Sequence, residues 1–175
     1  MVKKNKANLI DRLIIGMSIA FFLFLVWAIL WKCGVPYIGD GTLRTVNLLP
    51  FRNNAWWELQ FNIAIFLPCG FYLSAVKSEW SLLKRVTATL FISFTLEVIQ
   101  FVLAIGYSDV TDLLMNTLGG IMGIAVFFVV SRLSGKKGRK VIFVICLLLT
   151  LLELYMALSF IFFGRLNIGF MMIKL

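Results

Sequence analysis

The feature that most constrains this chain is a run of nineteen residues, Leu13 to Trp31, with no charge in it. At ~1.5 Å of rise per residue such a run crosses a hydrocarbon core of ~30 Å as one helix. Four more apolar runs follow, from about Trp57 to Val76, Val86 to Ile105, Val110 to Val130 and Val141 to Phe163. The pattern predicts an all-α membrane protein, a bundle of about five transmembrane helices. Composition agrees, because a chain that is 61% hydrophobic with a mean hydropathy of +0.97 carries more apolar surface than a soluble domain of this size can bury.

The connections set the orientation. Lys3, Lys4, Lys6 and Arg12 precede the first run, Lys77, Lys84 and Arg85 lie between the second and third, and Arg132, Lys136, Lys137, Arg139 and Lys140 between the fourth and fifth. The remaining basic residues are Lys32, Arg44, Arg52, Arg165 and Lys174, so twelve of seventeen fall on one side. The positive-inside rule puts that side, and the N-terminus, in the cytoplasm, with the C-terminus, the 32 to 56 loop and the Gly106 turn outside. A cleaved signal peptide competes for the first run, but the sequence Trp31-Lys32-Cys33 offers neither small residues for cleavage nor a lipidation site. The expected locale is a membrane, crossed several times.

The positive charge, +9 overall, sits in clusters between apolar runs, so topology accounts for it and no nucleic-acid partner is expected. The chain has no histidine, which excludes Ser-His-Asp and Cys-His catalysis and most transition-metal sites. Cys33, Cys69 and Cys146 are too scattered for a disulfide or zinc framework. No cofactor is expected.

Polar groups at membrane depth are the candidate chemistry. Thr89, Ser93, Glu97 and Gln100 recur at helical spacing on the third run. Asp109, Asp112, Asn116, Gly120 and Gly123 do so on the fourth. By helical rise, Glu97 lies ~18 Å and Gln100 ~22 Å above Arg85, while Asn116 lies ~10 Å and Asn62 ~8 Å below the outer surface. Asn62, Glu97, Gln100 and Asn116 therefore share a depth, with Asp109 and Asp112 above them. The plain alternative is hydrogen-bonding glue between helices, with Asp109 a helix cap. A carboxylate at that depth, however, costs ~2.5 to 3.5 kcal/mol on insertion scales and points to function. Glu153 has no partner on its own stripe and is expected to face the bundle. Pro68 is expected to sit against protein, where the backbone carbonyl it frees can be satisfied. Gly119 and Gly123 offer a close-packing stripe, with a second copy of the chain as one possible occupant. The 32 to 56 loop, containing Asn47 to Phe51 and then Arg52, could be a plain solvated loop or a lid over the polar stripes. The C-terminal tail, 164 to 175, is expected at the interface.

Several of these motifs stand in a familiar order. Asn62 with Phe66-Leu67-Pro68-Cys69-Gly70, then Glu97-Val98-Ile99-Gln100, Asp109-Val110-Thr111-Asp112 and Asn116-Thr117-Leu118-Gly119, preceded by Asn47 to Phe51, resemble the VanZ-like family. The resemblance covers about residues 47 to 130. It divides the chain into a first helix and loop (1-46), a VanZ-like core (47-131), and a basic loop, fifth helix and tail (132-175). Many members carry an arginine just after the third span and two adjacent acids before the asparagine. Here Gly106 stands near the first of these positions and Thr111 at the first acid, leaving Arg44 or Arg52 as a replacement cation. The resemblance implies a small protein of the bacterial cell envelope that lowers susceptibility to teicoplanin, a glycopeptide antibiotic.

Three functions follow. The first is an outer-leaflet site, built from Asn62, Glu97, Gln100, Asp109, Asp112, Asn116 and Arg52, that binds or shields a lipoglycopeptide, a cell-wall lipid precursor or a membrane lipid. The second is an intramembrane enzyme acting on a lipid-linked substrate, with Glu97 as acid or base and Asp109 and Asp112 holding a hard cation through oxygen. No nucleophile or known catalytic motif accompanies it. The third, a small transporter, lacks polar groups continuing to the inner face and lacks an inverted repeat.

Overall fold

The structure is a computed structural model. It describes residues 8–31, 36–41, 45–52, 55–106, 108–163, 166–168 and 171–173, so Cys33, Arg44 and Tyr107 lie outside the described residues. Five α-helices dominate: α1 (Leu9–Trp31), α2 (Trp56–Val76), α3 (Leu82–Leu103), α4 (Val110–Ser134) and α5 (Gly138–Phe163). Four helical stretches are long and apolar enough to cross a membrane. The last of them is the 53-residue stretch Val110–Phe162 that contains both α4 and α5. The basic segment between these two is tighter than the loop its glycines suggest. Gly135–Lys137 forms one 3-10 turn, with Gly135 at φ +49°, and Gly138 already opens α5.

Helix starts follow local chemistry. Ser81 caps α3 by accepting from the Lys84 amide at 3.3 Å, and Asp109 caps α4 by accepting from the Thr111 amide at 2.7 Å. At the head of α2, Glu58 reaches back to the Ala55 amide at 3.2 Å. Helix α3 ends at Ala104, held in the left-handed conformation at φ +55°. Helix α2 continues through Pro68.

Contacts along the helices give their directions. Asn62 meets Asp112 near the start of α2 and α4, and Phe71 meets Phe127 near their ends, so these two run parallel. Ser93 pairs with Asn116 and Ser108 with the Glu97 carbonyl, so α3 is antiparallel to α4. Helix α5 runs beside α1 in the same direction, with Arg139 ion-paired to Asp11 at one end and Phe160 against Trp27 at the other. Tyr72 anchors the middle. It stacks on Phe21 at 5.2 Å and donates to the Cys146 carbonyl at 2.8 Å, joining α1, α2 and α5.

The α2/α4 seam is the tightest in the bundle, and glycine makes it so. A Cβ at Gly119 would collide with the Ile63 carbonyl, at Gly123 with that of Leu67, and at Gly70 with that of Gly120. Gly119 and Gly123 therefore face α2 of the same chain. Pro68 lies beside this seam, half-buried.

Two small ladders complete the fold. Strand β1 (Val46–Asn47) pairs in parallel with β2 (Ser108–Asp109). In the tail, β3 (Leu166–Ile168) pairs antiparallel with β4 (Met171–Ile173), a hairpin that the mixed apolar sequence does not announce.

Candidate functional site

The segment before α2 is sewn across the α3/α4 turn. The Gly39 amide donates to the Leu103 carbonyl at 2.9 Å and the Ser108 amide to that of Thr45 at 3.1 Å. A Cβ at Gly39 would enter the Ala104 carbonyl. Asn47 then donates from Nδ2 to Asp109 Oδ2 at 3.0 Å and accepts from the Leu49 amide at 3.1 Å. Phe51, held in the left-handed region at φ +61°, donates its amide to Thr111 Oγ1 at 3.0 Å. A non-glycine residue there costs about 1–3 kcal/mol, which surrounding contacts must hold. The loop thus forms a lid over the start of α4.

Beneath it the polar side chains fall into layers. Glu97, 7% exposed, accepts from the Asp109 amide at 3.1 Å through Oε2, while the Ser108 hydroxyl donates to the Glu97 carbonyl at 2.9 Å. Asn62 donates to Asp112 Oδ1 at 2.8 Å. One layer deeper, Asn116 donates from Nδ2 to Ser93 Oγ at 3.0 Å. Its Oδ1 is buried without a partner among the described residues.

This arrangement differs from the sequence expectation in three ways. Glu97 and Asn116 bond in adjacent layers to other partners, because the β1/β2 ladder draws the Asp109 backbone onto the Glu97 carboxylate. Gln100 leaves the cluster and donates to the Ile29 carbonyl of α1 at 3.0 Å. Arg52 is exposed on the lid. Asn47 and Thr111 join the cluster though neither was among the candidate binding residues. Thr111 is fully buried and receives the lid through its hydroxyl. The signal for Asn47 was its place in the motif ahead of the second span.

The carboxylates act as acceptors for protein donors. Both Asp109 oxygens are engaged, by Thr111 and by Asn47, and Asp112 Oδ1 holds Asn62. Among the described residues, no group of three or more His, Cys, Asp or Glu is gathered to hold an ion.

Beside the cluster runs a groove of about 270 Å³, lined on the α3 side by Phe94, Glu97, Val98 and Phe101, on the α4 side by Val110 and Leu113, and roofed by Val46 and Leu48. Its apolar side chains reach the outer surface of the bundle, with Phe94 52% and Leu48 71% exposed. The volume lies just under the ~300–1,000 Å³ of sites that enclose whole drug-sized ligands, so it suits part of a chain-like apolar group. No sequence period marks this groove, because lipid-facing residues are apolar whether or not they line one.

Long apolar helices mark a multi-pass membrane protein, and its bundle carries a cluster of polar side chains at one end. Residues 18–132 match the VanZ/LLP1 family, and the chain belongs to that family. It is 33% identical to Protein VanZ of Enterococcus faecium over 145 residues, 80% of this chain and 90% of that protein. No solved structure matches. The family match begins within α1, well before residue 47, in keeping with the ties from α3 to α1 (Gln100 to Ile29) and from α1 to the loop (Trp31 Nε1 to the Tyr37 carbonyl, 2.9 Å).

Proposed function

We propose that this protein lies in the bacterial cytoplasmic membrane and lowers susceptibility to teicoplanin-type lipoglycopeptides by engaging an acyl-bearing molecule at the outer leaflet. The groove is the observation that carries this reading. It joins an apolar trough, open toward lipid between α3 and α4, to the polar cluster of Glu97, Asp109 and the lid. An amphiphile can lay its fatty chain in that trough beside the cluster, whether it is the antibiotic, a cell-wall lipid precursor or a phospholipid. The lid carries Leu48, Leu49 and Phe51, all more than half exposed. These suit a segment that rests in the headgroup layer. Arg52 follows them as a cation for a lipid phosphate or an antibiotic carboxylate. In this orientation the N-terminus is cytoplasmic, α4 and α5 cross separately, and the lid end of the bundle is outside.

Filling the trough tests it. Leu113→Trp should abolish protection against an acylated glycopeptide in susceptibility assays, while leaving expression and thermal stability in detergent near those of the parent. Full protection by a well-expressed Leu113→Trp protein would exclude the groove as the binding site.

A further inference from the structure

At the end of the bundle opposite the lid, Arg85 stands in the first turn of α3 with only 3% of its surface exposed. A guanidinium carries five N–H donors and stays charged in any protein environment. Here Nη2 donates to the Ser78 carbonyl at 2.7 Å. The Phe128 and Phe127 rings lie 4.8 Å and 5.5 Å from Cζ. Nε and Nη1 are buried and donate to no described residue. Glu79, in the connection between α2 and α3, acts on Arg85 through space, but it is exposed and forms no ion pair with it.

Two further buried groups lie toward the same end. Ser74 Oγ, three residues past Phe71 on α2, and Ser131 Oγ, four past Phe127 on α4, also lack partners among the described residues. Phe71, Phe127 and Arg85 form a chain of contacts across α2, α4 and α3. One helical turn onward from Phe71 and Phe127, the two hydroxyls lie toward the same end of the bundle as the guanidinium. Two unpartnered N–H groups on a permanent cation are donors for an anion, and phosphate is the anion such guanidinium sites recognise.

We propose that Arg85, at the junction of the α2–α3 turn with α4, binds the phosphate of an anionic phospholipid headgroup. The surroundings favour a lipid source. Leu82 and Leu83 are exposed on the same first turn at 57% and 74%, and Lys77 stacks on Trp80 with Nζ 5.7 Å from the ring. Lys84 and Arg132 are exposed nearby. An aromatic and basic belt above apolar side chains is the signature of a membrane interface, and anionic lipid is concentrated on the cytoplasmic leaflet.

The test uses the full chain in mild detergent, titrated with phosphatidylglycerol and followed by native mass spectrometry. Wild type should retain one tightly held lipid, and Arg85→Gln should hold it about tenfold more weakly, the loss of one or two charge-assisted hydrogen bonds. Diacylglycerol, which lacks phosphate, should bind neither protein at this site. Displacement of phosphatidylglycerol by millimolar inorganic phosphate would assign the site to free phosphate and overturn the lipid. Equal affinity of Arg85→Gln and wild type would overturn the site altogether. Should Arg85→Gln not survive purification, wild type carries the test. A phosphatidylglycerol analogue with a photoreactive headgroup should label residues 77–87 or 127–133, and label confined to other segments overturns the proposal.

Discussion

Glu97 is held by a backbone amide and not by a cation. Among the described residues the ion pair is that of Arg139 with Asp11, at the far end of the bundle. A glutamine side chain can accept the same hydrogen bond from Asp109, so Glu97→Gln removes the ionisable carboxyl and keeps the tie. Packing alone gives no reason to keep a carboxylate at this depth. We therefore expect Glu97→Gln to match the parent in expression and thermal stability, because it keeps the hydrogen bond from the Asp109 amide and breaks no buried ion pair, yet to lose protection against lipoglycopeptide. Full protection by that variant would remove the charge from the mechanism. Asn116→Ala is the contrast, since it takes the bond from Ser93 and should lower stability by ~0.5–2 kcal/mol whatever the function. Sequence spacing was enough to gather Asn62, Glu97, Asp112 and Asn116 at one end, because periodicity and rise fix face and depth. It could not assign partners. Those depend on a two-residue ladder that moves the Asp109 amide, and on the placing of α1, whose apolar surface hides which side receives Gln100.

Among the elements, the α2/α4 seam shows how far pattern reaches. Glycines spaced three and four apart on α4 mark a close approach, and the structure makes that approach, to a neighbour within the chain. The period names the face but not its occupant. Gly70 on α2 completes the contact, and only the parallel course of the two helices brings Gly70 against Gly120. Backbone meets backbone here, so an added methyl has no flexible side chain to displace. Gly123→Ala should lower stability by about 1–3 kcal/mol, the usual cost of overpacking. At Gly16 on α1 a Cβ meets nothing within 4 Å, and Gly16→Ala should cause no loss. Thermal unfolding of the two proteins in the same detergent compares them directly. Equal midpoints would mean that the seam is looser than its geometry.

At the scale of the whole molecule the open question is how the long last stretch meets the bilayer. Fifty-three helical residues would extend roughly 80 Å if straight, against a hydrocarbon core of ~30 Å. The break at Gly135 and the ion pair of Arg139 with Asp11 instead turn α5 back beside α1. In the proposed arrangement two crossings leave the basic turn on the side of the N-terminus and the tail on the side of the lid. Cysteine labelling on intact cells tests this arrangement. Cys69 and Cys146 are fully buried and can remain, so only Cys33 needs replacement by serine. Leu48→Cys, at an exposed lid position, should react with an impermeant maleimide on intact cells. Lys137→Cys, exposed in the basic turn, should react only after permeabilisation. A cysteine appended after Leu175 should label from outside if α5 crosses, and only after permeabilisation if it does not. The opposite result at both Leu48 and Lys137 would invert the bundle, carry the groove and lid to the cytoplasmic leaflet, and end the outer-leaflet proposal, since an antibiotic that stays outside could not reach them.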